Sequence, residues 1–514
     1  MLTIAPPRGP LPPRARRLAG HPLAVPVLAA LMIALLGTQI ALVFKVPSWG
    51  NDEPAHVGYV AALAEGRLPT IDTAIVDDPA RFPGTAEELR GWDDAHGDIW
   101  TANHPPLFHL AMVPVWWALS DIQGPDGGQS GMVIAMRLAN TAGFALWLLL
   151  VGLVARELVP RRPAVTALAV VVAMTPTLVL RSAFFINDGW ASSAALLLLL
   201  ATVRMLRDRI TPARLAWATA AGTAAAGFRA QGVLVVALCA VALALTALHR
   251  AGWLRAGWRG WRRALAVGGL VGGVPALAWG WFYLRNLRLY GDLTGQDALL
   301  EKFEREPVDG LAGIVHVPGL TEPTLATPIV LVAAVVLVPV ALVGTVRRHG
   351  LRFDAAWTLL GVHAALTAQS VVSFIAHGGG FHDRYLMQAM PLLATATAIG
   401  MLEVARWLPA PAEGTATSRR SREWWTATAW AAVLLAWLAV ALWWLERYYV
   451  FTRQSTSPVD GPLPVLLVVL ASGVGALLLA TMAGRAIGAA GSGAGSAGRA
   501  SAPPASGQSA ESAL

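Results

Sequence analysis

The feature of this chain that most constrains its fold is the length of its apolar runs. Residues 23–44, 131–155, 327–346 and 463–484 each approach or exceed the roughly 20 residues that carry a helix across the hydrocarbon core of a bilayer. No water is available there to bond free N–H and C=O groups, so runs of this length must be helical. Composition agrees, because 55% of the residues are hydrophobic and only 14% are charged, where a soluble domain carries about 25%. The fold class is an all-α polytopic membrane protein.

Arginine marks the orientation. Arg-rich segments belong in the cytoplasm, and here they are the N-terminus, 156–162, 204–214, 249–263, 347–352 and 406–422. The intervening external segments are 45–130, the neighbourhoods of 184–189 and 228–231, then 285–326, 375–383 and 448–462. Residues 45–104 hold eleven acids and four bases, so nothing draws that loop inward. The short apolar run 105–119 is read as a juxtamembrane helix, since a span there would put Arg156, Arg161 and Arg162 outside. The count becomes about twelve spans, within 11–13, with both ends cytoplasmic. The first run is too long for a signal-peptide core and Phe44-Lys45-Val46-Pro47 offers no small residues for cleavage, so an uncleaved span is expected. The chain then divides into a Pro/Arg-rich tail (1–22), a transmembrane domain (23–484) and a Gly/Ala/Ser-rich tail (485–514), expected to be disordered.

The net charge of +8 does not argue for nucleic acid. The five arginines of 249–263, interleaved with Trp253, Trp258 and Trp261, form a juxtamembrane anchor instead. The single cysteine, Cys239, lies in an apolar run and reads as an inert buried thiol.

Polar clusters converge on the external side. Asn51-Asp52-Glu53-Pro54-Ala55-His56 follows the first run, and Pro54 suits a helix start with acids near its N-terminal dipole. A solvated helix cap is the alternative, and one His with two acids is too few ligands for a zinc motif. Asn103-His104-Pro105-Pro106 opens the juxtamembrane helix, and Asn187-Asp188-Gly189 places a carboxylate at a span boundary. Arg229 occupies a tight hairpin at 227–232. Tyr283-Leu284-Arg285-Asn286 with Tyr290-Gly291-Asp292, and the run His377 to Tyr385 containing His382, Asp383 and Arg384, complete the set. Caps, turn acids and snorkelling arginines account for each segment alone. Together they gather carboxylates, imidazoles and guanidiniums on one face, and arginines kept on an outer face suggest an anionic ligand such as phosphate.

These residues resemble the GT-C class of membrane glycosyltransferases, which includes protein O-mannosyltransferases and aminoarabinose transferases. The acidic pair Asp52-Glu53, the fuller run to His56 with Gly66-Arg67-Leu68-Pro69, His104-Pro105-Pro106-Leu107, Asn187-Asp188-Gly189, Leu284-Arg285-Asn286 and Arg384-Tyr385 carry the likeness, over about residues 23–405. The resemblance implies a sugar donor linked to polyprenyl phosphate and transfer to an acceptor hydroxyl at the external face of the cell membrane. It makes Asp52 the base or acceptor-positioning carboxylate, supported by Glu53 and His56, with Asp188 a second acid. Arg229 and Arg384 would hold phosphate, and His104, Arg285, His382 and Tyr385 would complete the substrate site. His104 departs from the Lys of the aminoarabinose enzymes.

The implied chemistry is a hydroxyl deprotonated by a carboxylate and a phosphate leaving group stabilised by arginine. One such carboxylate gives inversion at the anomeric carbon. No cofactor or metal is expected, although a divalent cation stays open. The partners are the bilayer, the lipid-linked donor, and an acceptor that is lipid, wall glycan or protein. The alternatives are a transporter or flippase of a lipid-linked glycan and a non-catalytic envelope assembly protein.

Overall fold

A computed structural model describes residues 21–43, 52–75, 97–119, 130–253, 257–310, 354–404, 416–452 and 463–497, with isolated helical positions between 313 and 343. Among these the chain is predominantly helical, with one isolated bridge between Ala74 and Asp98, and eight helices are long and apolar enough to cross a membrane. Most of the apolar run 327–346, one of the twelve expected spans, lies outside the described residues.

The first span, α1 (Ala24–Val43), is followed by the short helices α2 (Glu53–Ala64) and α3 (Leu107–Leu119), then by α4 (Ser130–Leu158). The next crossing is broken into α5 (Pro163–Val172) and α6 (Pro176–Arg181). Pro176 sits at the first helical position of α6, and the Thr175 side chain caps it by accepting from the Leu178 N–H. The helices α7 (Asp188–Arg207), α8 (Pro212–Phe228), α9 (Gln231–Arg250) and α10 (Gly257–Tyr290) then run back and forth, joined by short turns. A one-turn-plus helix α11 (Gln296–Lys302) precedes α12 (Ala355–Ala376), α13 (Met390–Val404), α14 (Ala416–Thr452) and α15 (Leu463–Ala497).

Two boundaries differ from the sequence reading. Helix α10 continues through Arg285 to Tyr290, so the loop expected from 285 begins at Gly291, where positive φ ends the helix. Helix α15 continues past residue 485 to Ala497, into the Gly/Ala/Ser-rich stretch.

One apolar core runs through α1, α4, α5, α7, α8 and α9 and onward to α12–α15. The outward face of α10 does the opposite. Trp258, Trp261, Leu265, Leu277 and Trp281 are all largely exposed, an apolar surface suited to lipid rather than water. The chain is a multi-pass membrane protein.

Helix α2 is buried on every side from Glu53 to Ala62. Val57, Val60 and Ala61 pack on Phe108, Trp116 and Met136 of α3 and α4. Ala55, Tyr59 and Ala62 pack on Ile71, Ile75, Ile99 and Trp100 of the loop that covers it, beside Tyr290, Leu299 and Phe303. Burial all round explains why α2 shows no polar face and why its polar residues must find partners inside the protein.

Candidate functional site

The site lies at the end of the bundle where α1 finishes and α2, α7 and α9 begin. Asp52 is the N-cap residue of α2. Arg384 Nη1 reaches its Oδ2 at 2.5 Å, and the Trp100 indole N–H is a long 3.4 Å from Oδ1. About a quarter of the Asp52 side chain (24%) remains accessible.

Arg384 belongs to a 3₁₀ turn, Asp383–Leu386, anchored by its first residue. The Asp383 carboxylate accepts from the hydroxyls of Thr175 and Thr177 at the α5–α6 break. The same Arg384 Nη1 also stands 3.4 Å from Asp188 Oδ2, while Arg229 Nη1 pairs with Asp188 Oδ1. One guanidinium nitrogen thus bridges two acids, and Asp188 is closed on both oxygens. Its side chain is 5% exposed. The Tyr385 ring lies under both arginines, 5.4 Å from the Arg384 guanidinium carbon and 6.0 Å from that of Arg229.

Local sequence fixes these positions. The segment before α7 is held by α4: Asn140 donates to the Phe184 carbonyl at 2.6 Å and Thr141 to the Ser182 carbonyl at 2.8 Å. Asn187 ties α7 to the end of α8 through the Phe228 carbonyl at 2.9 Å. The α8–α9 hairpin that presents Arg229 can close because Gly232 lacks a side chain; a Cβ there would run into the Ala225 carbonyl. Gly189 does the same for α7 against Phe144.

Electrostatics follow from this crowding. Burial pushes the Asp52 carboxyl up, but Arg384, then His56 and Arg181, together outweigh it and hold the group well below the usual carboxylate range. Burial likewise works against the Arg384 charge and loses to Asp52, which raises it. Arg229 is pushed down to about 10 by burial and then by Arg384, so it stays charged at neutral pH. Burial holds His56, His104, His109 and His382 well below the ordinary imidazole value, with neighbouring arginines adding to the effect at His56, His104 and His382. Arg181 Nη2 donates to His382 Nδ1 at 3.3 Å, which assigns the His382 proton to Nε2 because arginine cannot accept.

Asp52, Asp188, Arg229, Arg384, Tyr385, His382, His56 and His104 are therefore brought together as the sequence implies. Glu53 and Arg285 are not. Glu53 is fully buried behind Asp52 in a two-pronged pair with Arg137, at 2.8 and 2.7 Å, and accepts from the Phe185 N–H at 2.8 Å. Arg137 is equally buried. Both Glu53 oxygens are engaged, so it braces α2 against α4 and the 184–187 segment instead of meeting substrate. Arg285 donates to the Pro69 carbonyl at 2.6 Å. Its neighbours act alike: Asn286 donates to the Asn103 carbonyl at 2.9 Å, and the Tyr290 hydroxyl accepts from the Ile71 N–H at 3.1 Å. These side chains fasten the loop over α2 from the end of α10.

Four residues of the neighbourhood escaped the sequence reading: Arg137, Arg181, His109 and Asp383 as an anchor. Arg137 and His109 each interrupt an apolar stretch, and a charge or imidazole in such a stretch was the available signal. Among the described residues no group of three or more His, Cys, Asp or Glu side chains is arranged to hold a metal ion.

No protein-family model matches the sequence, and neither does any curated protein. Several solved structures are similar to this chain, three of which follow. ArnT from Cupriavidus metallidurans bound to undecaprenyl phosphate aligns at 18% identity and TM-score 0.43 over 91% of this chain and 79% of its own. The archaeal oligosaccharyltransferase AglB from Archaeoglobus fulgidus, in complex with an inhibitory peptide and a dolichol-phosphate, aligns at 14% identity and TM-score 0.45, over 88% and 56%. The arabinosyltransferase EmbB from Mycobacterium smegmatis aligns at 14% identity and TM-score 0.38, over 95% and 42%.

Proposed function

We propose that this protein is a GT-C-type membrane glycosyltransferase that moves a sugar from a polyprenyl-phosphate-linked donor to an acceptor hydroxyl, with inversion, at the external face of the cell membrane. One observation carries the reading. Of the two acids of the ionic cluster, Asp52 keeps about a quarter of its side chain accessible (24%) where Asp188 keeps 5%, and it does so beside two charged arginines. That arrangement suits a hydroxyl on the carboxylate and a phosphate on the guanidiniums.

Arg384 and Arg229 receive the charge that grows on the lipid phosphate as the bond to the sugar breaks. Asp188 holds both arginines in place. His104 and His382, kept neutral, donate or accept hydrogen bonds without adding charge. The ordered resemblance from Asp52 to Tyr385 supports the same assignment.

The test is purified protein in lipid nanodiscs with a panel of undecaprenyl-phosphate hexoses and pentoses and extracted envelope acceptors. Release of undecaprenyl phosphate coupled to gain of sugar by an acceptor is the expected result. Movement of lipid-linked sugar between leaflets without cleavage would overturn the enzyme reading. The face is set separately in intact cells. Cysteine at Gly310 should react with an impermeant thiol reagent and cysteine at Gly257 should not, the native Cys239 being buried.

A further inference from the structure

Behind Asp52 lies a row of buried rings that the reaction above does not use. His109 is fully buried on α3, and its Nε2 is 2.8 Å from Nδ1 of His56. The two imidazoles are nearly parallel, with centroids 5.1 Å apart and planes 17° apart. Tyr59 stacks on the far side of His109 at 4.0 Å and 22°. Phe108 and Phe185 present their edges to His56 at 6.3 and 6.2 Å. His56 is therefore boxed by aromatic rings, with a second imidazole as its hydrogen-bond partner. Its Nε2 has no hydrogen-bond partner among the described residues.

The pair is costly to keep. His109 Nδ1 is buried without a partner among the described residues, and neither neutral tautomer of the pair removes that defect. A phenyl ring in place of the His109 imidazole would fill similar space with no unsatisfied nitrogen. Packing alone therefore does not account for an imidazole here.

Its chemistry does. When His56 donates from Nδ1 to His109 Nε2, the lone pair of His56 is fixed on Nε2. A proton arriving at Nε2 creates an imidazolium whose Nδ1–H already has an acceptor. His109 then does for His56 what a carboxylate or carbonyl does for other working imidazoles. His56 follows Asp52 by one helical turn, its backbone N–H bonded to the Asp52 carbonyl at 3.1 Å. Asp52 is also the carboxylate that acts most strongly on it.

We infer that His56, oriented by His109, is the proton relay of the transfer reaction: Asp52 aligns the acceptor hydroxyl, and the proton passes through His56 Nε2. The inference rests on the glycosyltransferase reading. The acceptor O–H bond breaks as its oxygen bonds the anomeric carbon. The bond from that carbon to the phosphate oxygen breaks, and its electron pair stays on the lipid phosphate. The proton passes from His56 to the departing lipid phosphate, which restores the neutral imidazole.

The experiment compares wild-type protein with His56→Ala, His109→Phe and His109→Gln in nanodiscs, using the undecaprenyl-phosphate sugar that wild type cleaves. Loss of an acid–base group lowers kcat by roughly 10²-fold or more, and loss of an orienting partner by roughly 10- to 100-fold. His56→Ala should fall by the first amount and recover in part with added imidazole. His109→Phe should fall by the second with KM unchanged, while His109→Gln, which restores an acceptor near Nε2, should retain most of the rate. Undecaprenyl phosphate binding and melting temperature report folding for each variant. Wild-type rates in folded His109→Phe, or a folded His56→Ala that imidazole does not rescue, would overturn the proton relay and leave the transferase reading intact. Absence of transfer by wild type would instead remove that reading.

Discussion

The pocket around Asp52 and the brace around Glu53 begin one residue apart and differ in what they leave open. Glu53 meets the planar fork of Arg137 with both oxygens and adds the Phe185 N–H, and both side chains are inaccessible. Asp52 shares a single guanidinium nitrogen with Asp188 and keeps part of its surface free. A satisfied pair in a dry interior is geometry, fixing α2 on α4. An under-satisfied cluster at a protein edge is capacity for a ligand. The Arg384 Nε, buried and without a partner among the described residues, shows the same spare capacity on the basic side.

The largest expected effect breaks this comparison directly. Asp52→Asn keeps shape and most hydrogen bonding while removing the charge, so transfer should fall by ~10²–10⁴, or about 3–5 kcal/mol of barrier. Its melting temperature should hardly change. Glu53→Gln should do the reverse in kind, because it strands a buried Arg137. Removing one partner of such a pair costs about 3–5 kcal/mol of stability, read as a lower melting temperature or loss of folded yield. If folded Glu53→Gln lost rate at unchanged stability, Glu53 would belong to the site after all.

A smaller effect sharpens the basic half. Arg384→Ala removes a charge-assisted partner worth about 1.5–3 kcal/mol, so donor KM should rise roughly 10- to 100-fold. It also removes the main charge that holds the Asp52 carboxyl down against burial. A carboxylate that must be ionised loses function as pH falls through its pKa. In wild type that loss lies below the usual carboxylate range, and in Arg384→Ala it should move upward. Rate profiles at saturating donor measure the shift, and coincident acid limbs would show that Arg384 does not set the state of Asp52.

Much of this was legible in the sequence, and the reasons differ by residue. Span length and alternating arginines gave the helical order because hydrocarbon thickness leaves little choice. Asp52, Asp188, Arg229 and Arg384 were visible because ionisable residues at span ends are conspicuous. Glu53 was misread because adjacency in sequence does not say which way two side chains point at a helix start. Arg137 was hidden within the apolar run 131–155, where one charge hardly alters the average. Arg285 read as part of the substrate site, yet a guanidinium at a helix end binds a backbone carbonyl equally well, and only the path of residues 66–75 decides between them. The α5–α6 break was readable in Thr175-Pro176, but its use as a mount for Asp383 depends on contact across more than two hundred positions.

The smallest expected effect concerns the outer clasp of that same loop, which contrasts with the buried brace. Lys302 at the end of α11 pairs with Asp98 at 2.7 Å and with Asp72 at 3.0 Å, joining the loop over α2 to the far side of α10. Burial lowers the ammonium's pKa, but the two carboxylates outweigh it and raise the value overall. The lysine half of the clasp is therefore charged across the neutral range and is lost as pH rises past that raised value. Asp72 is 70% exposed, so solvent and salt screen its half of the clasp, and such pairs are worth less than about 1 kcal/mol. The loop is also held by Arg285, Asn286 and Tyr290, none of which depends on a carboxylate for the bond it makes. Lys302→Ala should consequently change kcat less than about 2-fold and lower the melting temperature by little, with the difference vanishing in high salt. A large loss of rate in folded Lys302→Ala would mean that the outer clasp, and not the row of side chains on α10, sets the position of the loop and of Trp100 beside Asp52.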